Sequence, residues 1–102
     1  MSDRTIGILG LGIFGSSVLM ALAKQDMNII AIDDHAEHIN QFEPVLARGV
    51  VGDITDEELL RTAGIDTCDT VVVATGENLE SSVLAVMHCK SLGVPRVIVK
   101  VK

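Results

Sequence analysis

The chain has 102 residues, 48% of them apolar and 22% charged, a length that suits one domain with one core and a composition that excludes disorder. Its formal net charge of −6 is unevenly spread: residues 1–25 carry +1, residues 26–80 carry −11 and residues 81–102 carry +4. No basic stripe of useful size exists, and with neither Trp nor Tyr there is no aromatic platform for single strands, which argues against a nucleic-acid partner.

Residues 5–23 are uncharged and end in Ala21-Leu22-Ala23, which looks like a signal-peptidase site. Gly7, Gly10, Gly12 and Gly15, together with the nearly neutral leader Ser2-Asp3-Arg4, argue against both export and a membrane span. The stretch reads instead as a strand over residues 5–9, a glycine turn, and a helix over residues 13–24 that is apolar nearly all round and expected to be buried.

A second strand is expected at residues 28–32, followed by a helix opened by Asp34 with Glu37 three positions on and ended by Pro44. Val50-Val51 form a short third strand. Thr55 and Glu58 read as a capping box for a third helix that stops at Gly64. Residues 70–74 give a fourth strand. Leu79, Val83, Val86 and Met87 give the inward stripe of a fourth helix closed by Gly93, and residues 96–101 give a fifth strand. The runs Ile29-Ile30-Ala31-Ile32 and Val71-Val72-Val73-Ala74 suit strands covered on both faces. The alternation implies an α/β fold, a Rossmann-like doubly wound parallel sheet of order 3-2-1-4-5. A sixth strand is missing, and an apolar fifth strand just before Lys102 leaves an edge that invites pairing or points to a longer chain. Cys68 and Cys89 are expected to be reduced structural thiols in a cytoplasmic protein.

The strongest motif is Gly10-Leu11-Gly12-Ile13-Phe14-Gly15, a G-x-G-x-x-G run placed between a strand and a helix. Gly10 allows the tight turn, Gly12 lets a pyrophosphate reach the backbone, and Gly15 lets helix and strand pack closely. The free amides at the helix start then face the phosphates. Asp33, twenty-one residues after Gly12, ends the second strand where an acid accepts the ribose hydroxyls of an adenosine, and a 2′-phosphate there would meet like charge. NADP is therefore disfavoured.

Asp33 and the neighbouring Asp34 also suit simple helix capping. Asp53 after the third strand suits either the adenine amine, with Ile54 on the base, or a solvated loop. Thr75 and Gly76 close the fourth strand beside the nucleotide, and Asn78 suits a helix cap. Lys100 suits phosphate charge or an ordinary exposed edge.

Other chemistries do not fit. A Walker loop needs Lys after Gly15, where Ser16 stands. His35, His38 and His88 are read as structural or surface residues with no metal role, and Asp53, Asp56, Glu57 and Glu58 as a solvated helix start. No catalytic residue and no metal ligand is assigned.

Gly10 to Gly15, Ile32-Asp33, Gly52-Asp53-Ile54-Thr55 followed by Leu59-Leu60 and Ala63-Gly64-Ile65, and Val71 to Thr75 ahead of Asn78-Leu79 together resemble the TrkA N-terminal, or RCK, domain of bacterial potassium-uptake regulators. The resemblance covers residues 1–102 and is closest to the Ktr-type regulatory subunits. It implies a cytoplasmic nucleotide-sensing domain, held at the inner membrane face by its potassium transporter without entering the membrane. Such domains form homodimers that assemble into an octameric ring. ATP, ADP, AMP or NAD(H) would be the ligand, contacting Gly10, Gly12, Ile13, Phe14, Gly15, Asp33, Asp53, Ile54, Thr75, Gly76 and Lys100. ATP-sensing members commonly carry Arg at the position of Ile13, which leaves AMP, ADP and NAD(H) open beside ATP. The C-terminal ligand domain and crossover helix of the family have no counterpart in this sequence. Two alternatives remain, the cofactor half of an NAD-dependent oxidoreductase and an interaction domain with a vestigial site.

Overall fold

A computed structural model of the chain describes residues 4–75 and 77–100. The elements are β1 (Thr5–Leu9), α1 (Ile13–Leu22), β2 (Asn28–Asp33), α2 (Ala36–Phe42), β3 (Arg48–Val51), α3 (Glu57–Ala63), β4 (Thr70–Val73), α4 (Leu79–Ser91) and β5 (Arg96–Val99), with 3-10 turns at Glu43–Val45 and Ile65–Thr67. All strands pair in parallel in the order β3-β2-β1-β4-β5 expected from the alternation. Ile8 lies between Ala31 of β2 and Val72 of β4 in register.

The period-two alternation of each strand sends side chains to two cores, one on each face of the sheet. Leu9, Ile30, Ile32, Val71 and Val73 point to one face and pack under Leu60 and Ala63 of α3 and Ala85 and Cys89 of α4. Ile8, Ile29 and Ala31 point to the other and pack against Leu19 of α1 and Ile39 and Phe42 of α2. The three inner strands are largely buried, whereas β3 and β5 at the edges are mostly exposed.

Four local expectations are corrected. The first helix is not buried all round: it buries Gly15 and Leu19 but leaves Ile13 92% and Met20 60% exposed, because only one of its faces meets the sheet. The second is not opened by Asp34. Its cap is His35, without a side-chain bond, and the His35 amide donates instead to Asp33 Oδ1 at 2.7 Å. The Thr55–Glu58 box does not form, since Asp56 Oδ1 takes the amides of Glu58 and Leu59 while Thr55 bonds to Asp53. The stripe on α4 faces largely outward: Leu79, Val83 and Met87 are exposed, Val86 packs against the core as expected, and Ser82, Ala85 and Cys89 form the buried face. Small residues let the helix backbone sit close over the β-branched sheet, and Ser82 keeps its hydroxyl satisfied at the Thr75 carbonyl, 3.0 Å away. Strand five stops at Val99, and Val101 lies outside the described residues.

Gly64 closes α3 with φ +96° and Asn78 caps α4 by accepting from the Ser81 amide, both as expected. A leucine buried beneath α3 and one on the outward face of α4 give a direct test. Leu60→Ala should cost about 2–5 kcal/mol of stability, as for a fully buried leucine. Leu79→Ala should stay within about 0.5 kcal/mol. Denaturant midpoints of the two variants check both values, and a large loss at Leu79 would restore the inward stripe.

Candidate functional site

Strand order reverses between β1 and β4, and a crevice of about 570 Å³ opens there at the carboxyl ends of the strands, reached by Gly10, Gly12, Ile13, Phe14, Asp33, Thr75, Glu77 and Lys100 among others. A smaller recess of about 200 Å³ adjoins it, lined by Asp34, Gly52, Asp53, Ile54, Asn78 and Ser81 with Gly10, Asp33 and Thr75.

The three glycines differ in what holds them. Gly10 sits at φ +100°, a left-handed conformation that suits glycine, and its amide donates to the Ile32 carbonyl at 2.8 Å. A Cβ on Gly15 would collide with the Gly10 carbonyl oxygen, so the helix packs against the turn only if this residue has no side chain. At Gly12, the cap of α1, a Cβ would meet nothing within 4 Å. Packing does not demand glycine there, and the helix start carries no side-chain cap, so its amides open toward the crevice.

Asp33 is 5% exposed. Its Oδ2 accepts from the Leu11 amide at 2.6 Å, and its Oδ1 accepts from the His35 amide at 2.7 Å and lies 3.1 Å and 3.0 Å from Nδ1 of His35 and His38. Burial pushes the carboxyl pKa up, but these hydrogen bonds outweigh it and hold Asp33 below the ordinary carboxylate value. The bond to Asp33, then the charge of Asp34, raises His35 above its usual value.

Asp53 Oδ1 takes the Thr55 amide at 2.9 Å and hydroxyl at 2.7 Å, which lowers its pKa. Ile54 is 7% exposed and belongs to the core beneath the recess, so only its edge is offered to a ligand. Thr75 Oγ1 pairs with Ser82 Oγ at 2.8 Å. Lys100 Nζ stands 5.5 Å from the Phe14 ring centroid, a cation–π contact that brings positive charge to the crevice beside the start of α1. Asp34 lines both cavities with an exposed carboxylate. Gly76 lies outside the described residues. The structure thus brings together the other residues singled out in the sequence except Gly15, which is buried behind the turn against Gly10 and lines neither cavity, and adds His35, His38 and Glu77. The signal for the histidines was their position two and five residues beyond the strand-ending acid.

The sheet order, crossovers and glycine turn define a Rossmann-like α/β domain. The TrkA-N domain profile matches residues 6–102, and the chain belongs to that family. It is 35% identical over 97 residues to Ktr system potassium uptake protein C of Bacillus subtilis (strain 168), covering 95% of this chain and 44% of that protein. Two solved structures share the fold. The GsuK channel bound to NAD is 17% identical with a TM-score of 0.78, over 99% of this chain and 18% of that one. The Kef CTD of Shewanella denitrificans in its AMP-bound form is 21% identical with a TM-score of 0.73, over 94% and 57%. The chain spans less than half the length of the curated relatives it matches, 44–45% of each. Among the described residues no helix is long and apolar enough to cross a membrane.

The Asp33–His35 pair carries a pH prediction. With its pKa raised, His35 stabilises the fold below about pH 6.5 and loses that contribution as pH rises through its folded value; Asp33, lowered, contributes above about pH 3.9 and loses it as pH falls through its own. An NMR titration should therefore place the His35 midpoint above 6.5, and Asp33→Asn should bring it down. An unmoved midpoint in Asp33→Asn would remove the pairing.

Proposed function

We propose that the chain is the nucleotide-binding part of a regulatory subunit that controls a membrane potassium transporter from the cytoplasmic side. The observation that carries this reading is the open helix start at Gly12, facing the crevice across from Asp33. Bare amides and the positive end of α1 suit phosphate; a carboxylate at the end of β2 suits a ribose diol; the recess at Asp53 and the edge of Ile54 suits adenine.

The ligand in this reading is an adenine nucleotide: AMP, ADP, ATP or NAD(H). Asp33 and Asp34 set negative charge at the end of β2 against a 2′-phosphate, which disfavours NADP. Gly10, Gly12, Ile13, Phe14 and Gly15 form the phosphate turn, Thr75 the wall beyond β4, and Lys100 the cation over Phe14. Membership of the TrkA-N family, the potassium-uptake name of the Bacillus relative, and the AMP and NAD in the two similar structures support it.

Regulation follows from differential affinity, because a ligand shifts an assembly between two shapes only as far as it binds one shape better. A coupling of about 1–3 kcal/mol, or about 5- to 150-fold, is the usual scale. The homodimer and octameric ring implied by the family resemblance are the assembly on which it would act. No catalytic residue is needed for this role.

Calorimetry of the chain with AMP, ADP, ATP, NADH and NADPH tests the reading. At least one adenine nucleotide should bind and NADPH should bind most weakly. Gly12→Val should abolish binding while leaving the unfolding midpoint near that of the parent, since a Cβ there meets no protein atom within 4 Å and the branched side chain would occupy the space the phosphates need. Unchanged affinity in Gly12→Val, or NADPH as the tightest ligand, would overturn the proposal.

A further inference from the structure

Asp33 Oδ1 is over-subscribed. A carboxylate oxygen offers about two lone-pair directions, yet three donors from one short stretch converge on it: the His35 amide, His35 Nδ1 and His38 Nδ1, all within 3.1 Å. Both imidazoles turn the same ring nitrogen toward the same oxygen, with their centroids 4.8 Å apart. The three ligand-type atoms lie within 4.8 Å of one another, and Asp34 Oδ1 is a further 2.7 Å from His35 Nδ1.

We propose that Asp33, His35 and His38 form a site for a divalent transition-metal ion of the Zn²⁺ type, and that the ion competes with the nucleotide ribose for Asp33. Zinc holds nitrogen and oxygen ligands at about 2.0–2.2 Å in a tetrahedron, which places ligand atoms about 3.3–3.5 Å apart. The two nitrogen–oxygen separations are 3.1 Å and 3.0 Å and all three atoms lie within 4.8 Å of one another, so an ion is seated when the carboxylate opens by a few tenths of an ångström and the two rings swing toward each other. Two imidazoles with one or two carboxylates select such an ion over Mg²⁺ or Ca²⁺, which prefer all-oxygen sets.

The supports of a metal site are also in place. The Leu11 amide on Oδ2 fixes the Asp33 carboxylate from behind, as outer-shell donors do in metal centres. His35 and His38 reach the crevice, their side chains 59% and 35% exposed, so an ion has an approach and a position left open to solvent. Binding replaces the proton on each Nδ1 that now points at Asp33, and those protons pass to solvent. The bound cation then occupies the Asp33 oxygen nearest the crevice histidines. A ribose hydroxyl seeking that oxygen is excluded. The metal site stands on these side chains alone; the competition rests on the nucleotide reading above.

The test uses the full chain, first stripped with EDTA and exchanged into metal-free buffer. Co²⁺ serves as a coloured probe and Zn²⁺ as the titrant in calorimetry. The parent should give a visible Co²⁺ spectrum of nitrogen and oxygen ligation that Zn²⁺ abolishes, and His35→Ala/His38→Ala should bind Zn²⁺ at least about tenfold more weakly. Both side chains lie at the surface, so the variant keeps its core, and the single variant His38→Gln should fall between. Equal Zn²⁺ affinity in parent and double variant, no binding in either, or the near-ultraviolet band of thiolate ligation would overturn the site. The affinity of whichever of AMP, ADP, ATP and NADH binds most tightly is then measured with EDTA and with saturating Zn²⁺. It should be at least about tenfold weaker with Zn²⁺ in the parent and equal under both conditions in the double variant. A nucleotide affinity indifferent to Zn²⁺ in the parent overturns the competition. Absence of binding by all four nucleotides even with EDTA overturns the nucleotide reading and the competition with it, while the metal arm stands or falls on its own variants.

Discussion

Asp33 ties together the two turns on which the crevice is built. One carboxylate oxygen holds the Leu11 amide in the glycine turn after β1, and the other holds the His35 amide at the entry to α2. Neither backbone donor has a strand or helix partner at that point, so a buried acid at the end of β2 supplies what the ladder cannot. A hydrogen bond to a charged acceptor is worth about 1.5–3 kcal/mol, and here two such bonds meet at a residue that is nearly inaccessible. The shape of the crevice therefore depends on an ionised side chain, and the same side chain is the one a ribose would seek.

The glycine turn shows how packing and binding share one short segment. Gly10 is required by its backbone conformation and Gly15 by the approach of α1 to the turn, both folding constraints. Gly12 answers to neither. A Cβ there would meet nothing within 4 Å, so the fold itself does not account for the glycine. This contrast separates the structural part of a G-x-G-x-x-G run from the part that suits a ligand, within six residues.

Much of this was legible beforehand. Continuous β-branched runs separated by glycine and proline punctuation determine the strand order, and Gly64 and Asn78 mark helix ends because their backbone or side-chain chemistry leaves little choice. The errors came from hydropathy. On α4 the apolar residues were assigned inward, but the sheet accepts the small residues Ser82, Ala85 and Cys89, whose pattern carries almost no hydropathy signal. On α1 a uniformly apolar sequence gave no direction at all. At α3 two adjacent residues, Thr55 and Asp56, are both good caps, and the choice fell to Asp56 because Asp53 engages Thr55. His35 and His38 were read as wet surface, which describes their exposure but not their direction: the turn out of β2 swings both rings back over the strand-ending acid.

The two cysteines give the domain a chemical property that its site does not. Both are buried, and burial pushes their pKa to about 12 for Cys68 and about 11 for Cys89. At neutral pH the reactive anion is then only about one in a hundred thousand of the first and about one in ten thousand of the second. Peroxide and alkylating agents attack that anion, so both sulfurs react with them slowly as long as the domain stays folded.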